Sequence, residues 1–109
     1  MPVTERDFHI TIAQRRLPAG PVTFSVKNLG PVSHELIVVR SDDGSLPLRT
    51  DGVTVDEEAL KKSEVGALEP GRPGGVRRLR VVLAKGRYEV FCNMAGHYFG
   101  GMHAEVEVS

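Results

Sequence analysis

Cys92, His97 and Met102 stand at even spacing, four residues between each pair, in the run EVFCNMAGHYFGGMHAEV that spans Glu89–Val106. Cys92 is the chain's only cysteine. It therefore forms no internal disulfide, and counting excludes four-cysteine zinc sites, CxxC redox motifs and two-cysteine dinuclear metal sites. A lone thiol is a buried apolar group, a nucleophile or a metal ligand. A nucleophile needs a base and an oxyanion hole beside it, and nothing resembling a protease signature surrounds Cys92. A thiol, an imidazole and a thioether together are soft metal donors. Gly96, Gly100 and Gly101 let so short a segment curl, because glycine tolerates backbone angles that other residues resist. Curling it directs the three donors towards one point.

A fourth donor, His34, opens the run HELIVV, 58 residues before Cys92. Its side-chain parity matches Leu36 and Val38, so if those line the core His34 sits at the core's edge. Two imidazoles and a thiolate with a weak, long thioether form the ligand set of mononuclear electron-transfer copper sites. Soft sulfur favours Cu(I), imidazole accommodates both oxidation states, and a rigid loop keeps the geometry nearly constant between them. Zinc is the alternative occupant, although structural zinc sites are closed Cys/His tetrahedra.

The elements that must position these donors read as short strands. Phe8, Ile10 and Ile12 alternate with Asp7, His9 and Thr11, the period of a half-buried strand. Val22, Phe24 and Val26 repeat the pattern after the LPAGP turn, and HELIVV follows the break NLGPVS. Leu79, Val81 and Leu83 alternate against Arg78 and Arg80, AKGR turns the chain, and YEVFC follows. In the last run Ala104, Val106 and Val108 face inwards while Glu105 and Glu107 face outwards. Residues 41–75 are rich in Pro and Gly and read as a long excursion. Within it TVDEEALKKS carries helix formers, with Thr54 or Asp56 as N-cap. Six or seven strands with turns every 8–12 residues predict an all-β, antiparallel Greek-key sandwich or barrel, with one long excursion carrying a short helix. The length, 109 residues, fits one domain, 1–109.

Fourteen Lys and Arg balance fourteen Asp and Glu, so no strong field recruits nucleic acid or an anionic membrane. No apolar run is long enough to span a bilayer. The start MPVTERDFHITI lacks the apolar core of a secretory signal. The chain is then cytoplasmic, or a mature domain whose leader or anchor has been removed.

The segments SHELIVV and YEVFCNMAGHYFGGMHAEVEV resemble the two copper-ligand segments of the cupredoxin family, the type 1 blue copper proteins that include plastocyanin and azurin. The loop spacing is similar to the longer-loop members, such as rusticyanin and auracyanin, and not to plastocyanin with its shorter Cys-to-His gap. About thirty residues carry this likeness strongly, and the rest of the strand layout carries it weakly. The resemblance implies one copper ion cycling between Cu(I) and Cu(II), with His34, Cys92 and His97 as equatorial ligands and Met102 axial. It also implies one-electron transfer between protein partners on the periplasmic or extracellular side of a membrane. One departure is Glu35, which stands where members of the family often carry a small polar residue tying the two ligand segments together. The hydrogen bond to the Cys92 sulfur is thereby left to another donor, with Asn93 as candidate, and outer partners of this kind tune potential.

Met94, Ala95, Tyr98 and Phe99 read either as an apolar patch around the edge of His97 or as packing over the metal. On the first reading, redox partners dock transiently near His97, Tyr98 and Phe99, and the chain acts as a monomer. His103 and His9 share the polar faces of their strands and read as surface residues. Met94 reads as packing, with a second soft donor as the alternative. Arg77, Arg78 and Arg80 read as a solvated strand face. Four protein donors leave no open position for a substrate, so an electron carrier is expected and not an enzyme. The rival readings are copper storage or delivery, and an accessory copper domain of a larger redox protein.

Overall fold

The computed structural model describes residues 1–7, 9–30, 32–41, 46, 55–93 and 102–109. Nine strands lie among them: β1 Pro2–Arg6, β2 His9–Ile12, β3 Arg16–Leu17, β4 Gly20–Asn28, β5 His34–Arg40, β6 Glu64–Gly71, β7 Val76–Leu83, β8 Gly86–Phe91 and β9 His103–Val108. They form a four-stranded sheet in the order β2-β1-β4-β7 and a five-stranded sheet in the order β3-β9-β8-β5-β6. The chain visits the second sheet at β3, returns at β4, changes again at β5, comes back at β7 and leaves once more at β8, so sheet neighbours come from distant parts of the sequence. This is the Greek-key sandwich expected from the strand pattern.

The period-2 alternation holds strand by strand. Phe24 and Val26, Leu36 and Val38, Val81 and Leu83, Tyr88 and Val90, and Val106 and Val108 all point between the sheets and form one buried cluster with Val3 and Leu17. Each such side chain contributes about 1.5–3 kcal/mol by leaving water. The sheets approach closely at Gly66, where an added Cβ would come 2.7 Å from Val81 Cγ1.

Four features depart from expectation. Two pairings are parallel, β1 with β4 and β3 with β9, where an antiparallel sandwich was expected. Residues 7–19 separate β1 from β4, a connection long enough for a parallel return. Strand β1 carries no apolar alternation, because its inward positions are Val3 and Glu5 and the buried glutamate breaks the pattern. Strand β6 lies inside the stretch read as excursion. It contains Pro70, which cannot donate to a ladder, and is tolerated because β6 is an edge strand paired with β5 alone. The short helix expected in TVDEEALKKS is absent from its described part, where residues 57–63 form consecutive turns.

Ten residues are too few for a self-supporting helix in water, and here tertiary contacts decide. Ser63 N–H donates to Leu60 O (2.8 Å) and Leu60 N–H to Glu57 O (3.1 Å), while Asp56 still accepts from Ala59 N–H (3.3 Å). The segment roofs the outer face of the five-stranded sheet. There Leu46, Val55 and Leu60 close over Ile37, Val39 and Phe91 to make a second apolar cluster. No helix among the described residues is long and apolar enough to cross a membrane.

Candidate metal centre

Strand register brings three of the four candidate donors to one end of the sandwich. Strands β5 and β8 are antiparallel with Ile37 opposite Phe91, so the start of β5 lies beside the end of β8. Strands β8 and β9 are antiparallel with Phe91 opposite His103, so Cys92 faces Met102. The bond from Cys92 N–H to Met102 O (3.0 Å) continues that ladder. Parity then sets direction. His34 follows Leu36 and Val38, Cys92 follows Tyr88 and Val90, and Met102 follows Ala104 and Val106, all of which face the core. His34, Cys92 and Met102 are each fully buried.

Within this end, His34 Nδ1 lies 3.9 Å from Cys92 Sγ. A metal–imidazole bond of about 2.0 Å and a metal–thiolate bond of about 2.3 Å sum to roughly 4.3 Å. The observed separation is shorter than that sum, so a single ion can reach both atoms. The donor set and its burial therefore fit a metal with soft-ligand preference. No group of three His, Cys, Asp or Glu side chains converges as a metal site among the described residues. What they contribute is the His34–Cys92 pair, with the thioether of Met102 buried at the same end. His97 lies outside the described residues, as do Met94, Ala95, Tyr98, Phe99 and the loop glycines.

The surrounding polar groups are arranged differently from expectation. Asn93 does not turn to the Cys92 sulfur. Its Oδ1 accepts from Val55 N–H (2.7 Å), and its Nδ2 donates to Val55 O (2.9 Å) and Glu57 Oε2 (2.8 Å). It thus clamps the excursion to the sheet. The link between the two ligand segments is made instead by Glu35, whose Oε1 accepts from Asn93 N–H (2.9 Å). Burial pushes the Glu35 carboxyl above its ordinary value; the Asn93 bond opposes this, and Glu57, Glu69 and Glu64 add to it.

Arg77 is not part of a solvated face. It is half-buried, shares parity with Leu79, and donates across to the other sheet, to His34 O (3.0 Å) and to Glu69 O. Arg78 and Arg80 are exposed, as expected. His9 and His103 are exposed too, and His103 Nδ1 meets Glu89 Oε1 at 2.9 Å.

Two acids at this end had no signal in the sequence. Asp7, just past β1, places Oδ1 3.0 Å from His34 Nε2. Glu5, two residues earlier, is fully buried, and neither of its carboxyl oxygens meets a hydrogen-bond donor among the described residues. Burial raises its pKa to about 7, with Arg77 pulling it down and Glu35 pushing it up.

No family model matches the sequence, and no curated protein matches it. Solved structures do match over nearly the whole chain. A dithionite-reduced auracyanin from the photosynthetic bacterium Roseiflexus castenholzii is 20% identical, with a TM-score of 0.73 over 99% of this chain and 94% of that one. Rusticyanin from Thiobacillus ferrooxidans is 14% identical, with a TM-score of 0.72 over 99% of this chain and 76% of its own. An azurin from the methylotroph Methylomonas sp. strain J is 16% identical, with a TM-score of 0.66 over 100% of this chain and 96% of its own. Two sheets in this order, with three of the four candidate donors at one end and these likenesses across the full length, identify the chain's fold as that of the cupredoxins.

Proposed function

We propose that this protein is a single-electron carrier in one domain, residues 1–109, holding one copper ion through His34, Cys92, His97 and Met102. The observation that carries the reading is the 3.9 Å approach of His34 Nδ1 to Cys92 Sγ, both side chains fully buried, at one end of a sandwich with the cupredoxin fold. The copper ion supplies the Cu(I)/Cu(II) couple, and the protein's part is to hold its ligands in place. His34 pairs with Gly71 at the start of the β5–β6 ladder and Cys92 N–H bonds Met102 O at the end of the β8–β9 ladder, which favours donors that stay in place when the charge at the site changes. Burial excludes water, which keeps the cost of rearranging surroundings small. With four protein donors there is no open position for a substrate, which favours a carrier over an enzyme. Partners would dock transiently near His97, Tyr98 and Phe99, and the carrier would work on the periplasmic or extracellular side of a membrane.

The test is a visible absorption spectrum with one equivalent of Cu(II), repeated after ascorbate. An intense thiolate-to-copper band that bleaches on reduction is expected. A weak band of the nitrogen–oxygen type would remove Cys92 from the ligand set and the reading with it.

A further inference from the structure

The two ring nitrogens of His34 face different partners. Nδ1 is on the side of the Cys92 sulfur, at 3.9 Å. Nε2 lies 3.0 Å from Asp7 Oδ1, at contact distance. The ring is fully buried, and Asp7 is 28% exposed. The oxygen that faces the ring is nonetheless shielded from solvent, and no hydrogen bond occupies it among the described residues. The contact crosses from one sheet to the other. Asp7 is held in place by its own N–H, which donates to Gly30 O (3.1 Å). Gly30 in turn donates its N–H to the buried Asn28 Oδ1 (2.7 Å). On the opposite flank, Arg77 Nη2 grips His34 O (3.0 Å), so backbone and ring are fixed from two directions.

A neutral imidazole carries one proton, and the partner of each nitrogen decides where it sits. A carboxylate beside Nε2 favours the proton there and turns the Nδ1 lone pair to the Cys92 side. It also sets a negative charge one ring away from whatever Nδ1 binds. Granting the metal site proposed above, we propose that Asp7 is the positioning residue of that site: it selects the His34 tautomer that can bind the ion and favours the ion's more positive oxidation state. Arg77 binds the His34 carbonyl and Glu35 is its neighbour in the chain, while among the described residues Asp7 is an acid in contact with the ring itself.

Two variants separate charge from geometry. Asp7→Asn keeps an oxygen that can accept from Nε2 and removes the charge, whereas Asp7→Ala removes both. In the metal-free protein at about pH 8.5, well above the ordinary imidazole pKa of about 6.5, nitrogen-15 shifts should show His34 protonated on Nε2 in the wild type. That preference should be lost in Asp7→Ala. Chelator competition should show Cu(II) bound about 10- to 100-fold more weakly in Asp7→Ala, the usual effect of losing an outer partner of a ligating histidine. Asp7→Asn should lose less. The reduction potential should rise in both, since both lose the charge that favours Cu(II).

A metal-free ring protonated on Nδ1, or an Asp7→Ala protein with wild-type affinity and potential, overturns the proposal. If Asp7→Ala does not fold, Asp7→Asn decides through the potential alone. Should wild-type protein give no thiolate–copper band, the metal reading fails separately, and the nitrogen-15 measurement still judges the Asp7 contact.

Discussion

Replacing Glu5 by Gln isolates the effect of one buried acid on folding. Glu5 sits on the inner face of β1, fully buried, with no hydrogen-bond donor on either carboxyl oxygen among the described residues. Its pKa is raised from 4.5 to about 7, by burial first, with Arg77 opposing and Glu35 assisting. In the folded protein the acid therefore keeps its proton to higher pH than in the unfolded chain. Between pH 4.5 and about 7 the folded state binds more protons, so stability is fully present below pH 4.5 and falls as pH rises towards 7. At about 1.4 kcal/mol per pH unit, the gap amounts to about 3 kcal/mol. Gln is close in shape, neutral at every pH and free of this penalty. The assay is urea unfolding of the metal-free protein at about pH 4 and about pH 8, comparing Glu5→Gln with wild type at a matched denaturant slope. The variant should gain about 3 kcal/mol relative to wild type between the two pH values. Glu89 provides the control, since burial, helped by Glu105 and opposed by Arg87, also lifts it to about 7. Its share of the pH dependence should persist in the variant. Parallel pH profiles for the two proteins would refute the argument, and would mean that Glu5 is hydrated or paired in solution.

Cys92→Ser should abolish the intense copper charge-transfer band while leaving the fold intact by circular dichroism, and a surviving band would eliminate Cys92 as a ligand. Met102→Leu should leave copper bound and raise the reduction potential, because losing a weak axial donor destabilises Cu(II) more than Cu(I); cyclic voltammetry showing an unchanged or lower value would count against an axial Met102. Asn93→Ala removes the clamp on both Val55 backbone groups and on Glu57, leaving buried polar atoms unpaired at a cost of about 2–4 kcal/mol. Denaturant unfolding should register that loss, and hydrogen exchange should rise selectively at Val55 and Leu60; uniform exchange across the sheets would contradict a local clamp.

Much of this protein is decided by local chemistry that can be read along the chain. The alternation of Phe24 with Val26 or Val106 with Val108 is a property of neighbouring residues, and a half-buried strand is its direct physical consequence. Parity extends the argument to His34, Cys92 and Met102, because a side chain two or four positions from a core residue shares its face. The soft donor set is likewise a matter of residue type and count. Pairing decided the rest. Whether β1 runs parallel to β4, or Pro70 rests on an edge, depends on which segments meet, and loop closure over long separations leaves little local trace. TVDEEALKKS carries helix propensity, yet Val55 and Leu60 gain more by roofing Phe91 than ten residues gain as an isolated helix. Adjacency alone makes Asn93 a donor for the sulfur, but its side chain meets Val55 across the fold. Arg77 looked like its neighbours in composition, and strand parity turned it inward to His34. Glu5 and Asp7 are the clearest case. Nothing near them in sequence distinguishes them from surface acids, and only the packing of one sheet on the other buries the first and sets the second against the ring of His34.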